Sequence, residues 1–438
     1  MWSSMSEHNL SIVNNIRYLL IGVVTPSQSR SETEEHLSEL QLLMQTLGTT
    51  ATENCIVLQK KIEPATFLSR GKVIELQKYI EEADFGGVIF DDDLSPTQLR
   101  NLQQIFGVEI RDRTAVILEI FAKHARTKEA KTQIELATLQ YLLPRLSHRW
   151  GHLERQVGGI GVRAGAGETQ IEMDRRVVKD RIAKLQAELV TIDHERQVQS
   201  KRRQNCYRIV LVGYTNAGKS TLLNLCANAE VYVADQLFAT LDSTVRQWKL
   251  NGYPKILLTD TIGFIRKLPP NLIASFRSTL SEIREADLII IVADLSTAQC
   301  MRQMETVEEI LQTMGVAEKP RIVVFNKIDR VDQPILRLAR QVYPEAVFIS
   351  ALKHLRLAEF YQAIQQKIEE AMLTLTVTLP ASAGNAIALL YEHATILAEQ
   401  YRGDQAIFTI RCYRNIWRWL GPTLNQINHP VAISEKAM

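Results

Sequence analysis

Residues 208–227 read RIVLVGYTNAGKSTLLNLCA, an apolar strand pattern that passes through a turn bracketed by Gly213 and Gly218 into an apolar helix pattern. Few local sequences restrict a chain so tightly. Gly213, Tyr214, Thr215, Asn216, Ala217, Gly218, Lys219 and Ser220 fit G-x-x-x-x-G-K-[ST], and the strand before and helix after supply the context the motif needs. The glycines free the turn so that successive backbone N–H groups cradle phosphates at a helix N-terminus. The Lys219 ammonium then neutralises β/γ-phosphate charge, and the Ser220 hydroxyl ligates Mg2+. Thr221 follows in the same helix and joins the nucleotide-binding set.

Three later segments extend the reading. Asp260-Thr261-Ile262-Gly263 follows the apolar strand KILLT, which sets a carboxylate where it holds Mg2+ directly or through water and lets Gly263 offer its N–H to the γ-phosphate. Asn326-Lys327-Ile328-Asp329 ends the strand RIVVF. The Asp329 carboxylate is acceptor-only, so it takes two hydrogen bonds from the N1–H and exocyclic amine of guanine; adenine offers neither at that edge. A buried carboxylate facing an acceptor costs more than a lost bond, which selects GTP over ATP. Ser350-Ala351-Leu352, after AVFI, is placed to give guanine O6 a backbone N–H. Between the phosphate loop and Asp260, the stretch Leu237-Phe238-Ala239-Thr240-Leu241-Asp242 is the expected γ-phosphate sensor, with Thr240 the second hydroxyl on Mg2+ beside Ser220 and Asp260. The expected catalytic groups are Lys219, Thr240 and Gly263. Phe264 stands where Ras-like enzymes keep the glutamine that orients water, so intrinsic hydrolysis is expected to be slow and a partner to supply about 10³ to 10⁵ in rate.

The remaining chain is an ordinary globular composition with uneven charge. The net charge is +2, yet residues 121–203 hold 17 Lys and Arg against 10 Asp and Glu, a net +7, which leaves −5 elsewhere. A basic stripe of this kind suits a nucleic-acid partner as well as a solvated helical surface. Cys55, Cys206, Cys226, Cys300 and Cys412 have no C-x-x-C spacing and an odd count, which fits a reducing cytoplasm. No apolar run reaches the ~18 residues of a membrane span, and the start lacks a signal-peptide order.

Apolar β-type runs at Tyr18–Val24, Cys55–Leu58, Val88–Phe90 and Val108–Ile110 alternate with helical patterns at Glu34–Leu47, Lys72–Ala83 and Gln98–Ile105, which predicts a small parallel α/β unit. Ser95, Pro96 and Gln98 have the order of a capping box. Beyond Arg113 the pattern predicts long helix: Leu136, Leu139, Leu143 and Leu146, then Val178, Ile182, Leu185, Leu189 and Ile192, step in heptad rhythm and predict an antiparallel hairpin. Its tip, residues 147–170, interleaves glycines with Arg149, Arg155 and Arg163. The tip contains G-x-G-x-x-A, but no apolar strand precedes it as a dinucleotide site requires; a flexible basic loop that approaches phosphates is the better reading. After a second α/β region from Tyr207, residues 373–412 read as strand Thr374–Thr378, helix Ala386–Gln400 and strand Ala406–Ile410, a small separate appendage, followed by Trp417, Trp419 and a weakly patterned tail.

Taken together, GYTNAGKS, LFATLD, DTIGF, NKID and SAL, preceded by DRTAVILEIFAKHARTKEAKTQIELATLQYLLPRL and GGIGVRAGAGETQIEMDRR, closely resemble the HflX family of translational GTPases over about Tyr18–Cys412. The resemblance implies four parts: an N-terminal α/β subdomain (1–112), a helical hairpin (113–203), a P-loop GTPase domain (204–372) and a small C-terminal α/β domain (373–438). It further implies binding to the large ribosomal subunit and its RNA near the catalytic centre; GTP hydrolysis with Mg2+ in the cytoplasm and a monomeric bound form are expected with it, although the heptads themselves fit pairing within one chain or between two. Splitting of stalled or idle ribosomes, notably under heat stress, is the implied outcome. Two other readings stand beside it: a GTPase scaffold that grips a protein partner by the heptad face, and an ATP-using RNA remodeller. The chain departs from the family pattern at Arg163-Ala164-Gly165-Ala166-Gly167-Glu168, where R-G-P-G-E is usual, and at Leu352-Lys353-His354-Leu355-Arg356, where a glycine is expected.

Overall fold

The computed structural model describes residues 16–49, 51–146, 170–201, 206–227, 238, 244–250, 253, 255–267, 282–427 and 432–435. The hairpin tip with Arg149, Arg155 and Arg163, and Ala239, Thr240, Leu241 and Asp242, lie outside them. The described residues form two compact units, the first running to Thr191 and including Phe238 and Lys267, the second taking the rest.

In the first unit β1 (Tyr18–Val24), α1 (Arg30–Leu47), β2 (Thr52–Leu58), α2 (Arg70–Glu82), β3 (Gly87–Phe90), α3 (Pro96–Phe106) and β4 (Glu109–Asp112) alternate as the hydrophobic runs predict. The sheet is parallel in the order β2-β1-β3-β4. Central β1 is buried along nearly its whole length, hence its unbroken apolar sequence. The capping box at α3 forms, with Gln98 N donating to Ser95 Oγ at 3.3 Å and Ser95 N donating to Gln98 Oε1 at 2.9 Å.

Charged residues gather where the strands end, which no local pattern announced. Asp112 closes β4 and caps α4 (Arg113–His124) by accepting from Ala115 N at 2.9 Å. It also accepts from Tyr141 Oη at 2.8 Å and Arg145 Nη2 at 3.2 Å. Asp91, just past β3, accepts from buried Arg113 at 2.7 Å and from Lys267 at 2.7 Å. Burial alone would raise its carboxyl, but His36, Arg113 and Lys267 hold it well below the usual range.

The long helix expected past Arg113 is two helices. The chain leaves α4 at Ala125, and Thr127 Oγ1 caps α5 (Lys128–Leu142) by accepting from Ala130 N at 3.1 Å. α6 (Gln170–Lys201) pairs with α5: Arg181 meets Glu135 at 2.6 Å and Lys128 meets Glu188 at 2.9 Å, so later residues of α6 face earlier ones of α5 and the pair is antiparallel. Leu136, Leu146, Val178 and Leu185 are buried, and the other heptad positions are part-covered.

In the second unit β5 (Tyr207–Gly213), α7 (Lys219–Ala227), β6 (Thr244–Trp248), β7 (Ile256–Asp260), β8 (Leu288–Asp294), α8 (Cys300–Thr313), β9 (Arg321–Asn326), α9 (Gln333–Val342), β10 (Val347–Phe348) and α10 (Leu357–Glu370) build a sheet in the order β10-β9-β8-β5-β7-β6. Only β6 runs antiparallel to its neighbour within this sheet. Period-2 alternation splits β5 between its two faces: Val210 and Val212 pack with Ile289, Ile291, Val307 and Leu311, while Tyr207, Ile209 and Leu211 enter the other core.

The C-terminal segment differs from the sequence reading. After β11 (Met372–Pro380), α11 (Gly384–His393) stops at His393, and β12 (Thr395–Arg402) turns back on β13 (Gln405–Tyr413), so residues 395–400 are strand rather than helix. β12 is the polar, mostly exposed edge strand, which hides the alternation that would have marked it. The tail is structured too: α12 (Arg414–Ile427) carries Trp417 and Trp419, and β14 (Ala432–Glu435) pairs with β11. Nor is this region separate in its core. One apolar cluster runs from Ile209, Ile364 and Ile368 through Leu375 and Val377 to Phe408, Leu420 and Leu424. Asp287 accepts from both Arg208 N at 2.9 Å and Asn415 Nδ2 at 3.1 Å, a polar link between the same two parts.

Leu420→Ala, at a side chain that is 0% exposed, should therefore cost about 2–5 kcal/mol and lower one shared unfolding transition. Two separate transitions on thermal scanning, with the nucleotide-stabilised one unmoved, would contradict the shared core. No helix of the described residues is long and apolar enough to cross a membrane, and none of the five cysteines is in a disulfide.

Candidate nucleotide-binding site

The phosphate loop lies between β5 and α7, where the strand's C-terminal end points its backbone at the helix N-terminus. Two glycines are required there by space. Gly218 has φ +96°, and a Cβ on it would collide with Asn326 Nδ2; a Cβ on Gly213 would collide with Val292 O. Thr215 Oγ1 is buried without a hydrogen-bond partner among the described residues, a donor that an anionic oxygen would satisfy.

Lys219 is 6% exposed and donates to Gly213 O at 3.1 Å and Tyr214 O at 2.8 Å. Burial draws its ammonium down to about 8, against the opposing pull of Asp260. Ser220 Oγ donates to Asp260 Oδ2 at 2.6 Å, joining a hydroxyl and a buried carboxylate. Two hard oxygen donors in contact are the chemistry Mg2+ takes, so the pair fits that ion. Thr261 Oγ1 donates to Leu211 O at 2.7 Å, which fixes the start of the segment that leads to Gly263.

The base-side residues converge through Asn326. Its Nδ2 donates to Ala217 O at 2.9 Å and its Oδ1 accepts from Ala351 N at 3.0 Å, tying the phosphate loop, β9 and the Ser350-Ala351-Leu352 loop together. Of the Ser350-Ala351-Leu352 backbone that the sequence reading placed at guanine O6, the Ala351 N–H thus serves Asn326 here. Lys327, at φ +61°, pairs with Asp294 at 2.7 Å. Asp329 follows in a single 3-10 turn with Ile328 and is exposed, not buried as the specificity argument assumed; its carboxylate lies at the rim because that short turn carries it beyond the end of β9. Where a glycine was expected, Ser350 and Leu355 pair in both directions, at 3.2 and 3.0 Å. His354 and Arg356 take positive φ there, and Arg356 is held by Glu359 at 2.7 Å. The loop closes without glycine.

Phe238, 2% exposed, packs edge-on to Phe121 with centroids 4.6 Å apart, in the first unit. Phe264 is 4% exposed, its ring in the core with Val210 and Ile283. Such a side chain has no polar atom to offer a water.

Family models match three successive stretches: GTP-binding GTPase N-terminal over residues 34–122, GTP-binding GTPase Middle Region over 124–203, and 50S ribosome-binding GTPase over 208–327. GTPase HflX of Flavobacterium psychrophilum is 47% identical over 317 residues, 72% of this chain and 76% of that one. GTPase HflX of Lacrimispora saccharolytica is 41% identical over 89% of this chain and 91% of its own. This chain belongs to the HflX GTPase family. Among solved structures, a GTP-binding protein from Sulfolobus solfataricus in complex with GDP is 26% identical, with a TM-score of 0.40, over 80% of this chain and 98% of that one.

As an HflX-family GTPase the chain binds GTP and hydrolyses it to GDP and phosphate. The lowered Lys219 ammonium gives this binding a pH dependence. With Lys219 at about 8 in the free protein, and raised again once phosphates surround it, binding takes up a proton above that pH. GDP affinity should then be flat below pH 8 and fall up to about tenfold per unit above it; a flat profile from pH 7 to 9.5 by titration calorimetry would contradict this.

Proposed function

We propose that this HflX-family GTPase is a GTP-driven factor that binds the large ribosomal subunit, through its RNA, and splits stalled or idle ribosomes in the cytoplasm. The 50S ribosome-binding GTPase model over residues 208–327 carries this reading. The +7 stretch of 121–203 supports it, since RNA is held largely through phosphate and shape and a basic tip needs no base-reading motif. Arg149, Arg155 and Arg163 are the proposed RNA contacts.

In the nucleotide site, Lys219 and the N–H groups of residues 213–221 hold the β- and γ-phosphates. Ser220 and Asp260, with Thr240, hold Mg2+, which when bound offsets phosphate charge. Asp329 reads the guanine edge, and Gly263 offers its N–H to the γ-phosphate. The segment 237–242 and Gly263 order around GTP and release on hydrolysis. Phe264 leaves water without a positioned partner from that residue, so basal turnover is slow. The ribosome supplies the missing stabilisation, worth about 10³ to 10⁵ in rate, and the factor therefore fires only when docked.

Sedimentation with separated subunits tests the reading. Pelleting with the large subunit in a non-hydrolysable GTP analogue but not in GDP, with turnover raised many-fold, is expected. Arg149, Arg155 and Arg163 changed to Glu should abolish it. Failure to pellet in either nucleotide would leave a GTPase whose basic hairpin grips another partner.

A further inference from the structure

The segment after Asp260 is fastened to the phosphate loop by three hydrogen bonds that the phosphate-loop motif does not account for. Phe264 N donates to Gly213 O at 3.0 Å and Thr215 N donates to Phe264 O at 2.8 Å, a one-rung parallel bridge between Tyr214 and Phe264. The third bond runs from Arg266 N to the phenolic oxygen of Tyr214 at 2.8 Å. Tyr214 is 4% exposed, so this bond is shielded from competing water.

The bridge holds Gly263 hard against the loop. A Cβ on Gly263 would lie 2.7 Å from Thr215 Cα and 3.0 Å from Lys219 Nζ. That ammonium is the group with which a phosphate-loop lysine reaches β- and γ-phosphates. In the bridged form the Gly263–Phe264 backbone crowds the ammonium that a third phosphate has to reach, so a triphosphate draws Gly263 off the bridge to where its N–H meets the γ-phosphate, whereas a diphosphate leaves the bridge alone. A side-chain hydroxyl that stabilises the bridged form acts against the triphosphate only.

We propose that Tyr214 is a positioning residue that sets the choice between GDP and GTP: its hydroxyl latches residues 263–266 onto the phosphate loop, and GTP binding breaks the latch. The latch rests on nucleotide chemistry alone, so it stands whether or not the ribosome is the partner. Hydrolysis, by removing the third phosphate, lets Arg266 N return to Tyr214.

The test is Tyr214→Phe, which keeps the buried ring and removes the hydroxyl that accepts from Arg266 N. Affinities for GDP and for a non-hydrolysable GTP analogue are measured, with hydrogen exchange of the 263–267 amides in each complex. The analogue-to-GDP affinity ratio should rise about 2- to 10-fold, the worth of one net hydrogen bond. The Arg266 amide should be protected with GDP in the wild type, and exchange faster with the analogue and in the variant. An unchanged ratio, equal losses for both nucleotides, or an Arg266 amide equally protected in both wild-type complexes overturns the proposal. The wild-type exchange comparison decides the matter even if the variant folds poorly.

Discussion

Lys219→Met should cut GTP turnover by about 10² to 10³ while leaving the fold standing. Met keeps the unbranched apolar stem in a position that is 6% exposed, so packing is retained and only the charge and its donors go. A preorganised donor in a water-excluded site is worth about 10² to 10³ in rate, and the loss should reach that scale in kcat/KM for GTP. Stability should move the other way. The folded protein holds Lys219 at about 8, below its unfolded value, so keeping it charged at neutral pH opposes folding, and this cost fades as pH rises through the folded value. A thermal midpoint that is equal or higher at pH 7, together with lost turnover, is the expected pair. A lower midpoint with turnover intact would show that Lys219 serves packing.

Asp329→Asn should change which base is accepted. The carboxylate accepts from two guanine donors in the proposed arrangement, and each such charge-assisted bond is worth about 1.5–3 kcal/mol. An exposed carboxylate retains competing water, so the lower end applies and GTP affinity should fall roughly 10²-fold. Asn offers one donor and one acceptor, a match for a base that presents N1–H beside a carbonyl. Xanthosine triphosphate should therefore bind the variant better than GTP does. ATP affinity should be unaffected in both forms. Equal weakening of GTP and xanthosine triphosphate in competition assays would show that Asp329 shapes the loop without reading the base.

The nucleotide motifs were legible because each is local. A strand that ends in a glycine-bracketed turn and restarts as a helix specifies its own geometry, and residues 207–227 fold as that pattern demands. The Ser95 capping box, the four parallel strands of the first unit and the antiparallel pairing of the heptad helices were legible for the same reason. Each rests on periods of two or 3.6 residues, or on a fixed offset of three. The errors lie where that signal is weak. The edge strand Thr395–Arg402 has too little buried face to alternate, and the helix reading ran through it.

Sequence by itself determined the pieces this chain carries: a phosphate loop, a carboxylate at the end of β7 and the Asn326–Asp329 motif at the end of β9, all on a mostly parallel α/β frame. Tertiary structure decided how those pieces are poised. Asn326 tying Ala217 to Ala351, the Tyr214 hydroxyl taking the Arg266 N–H, Asp91 collecting Arg113 and Lys267, and one core shared by β5 and α12 all join residues far apart in the chain. Local periodicity reports which face of an element is apolar. Which other element meets that face, and which buried donor finds which acceptor, is settled only when packing excludes water and leaves each polar group to the partner within reach.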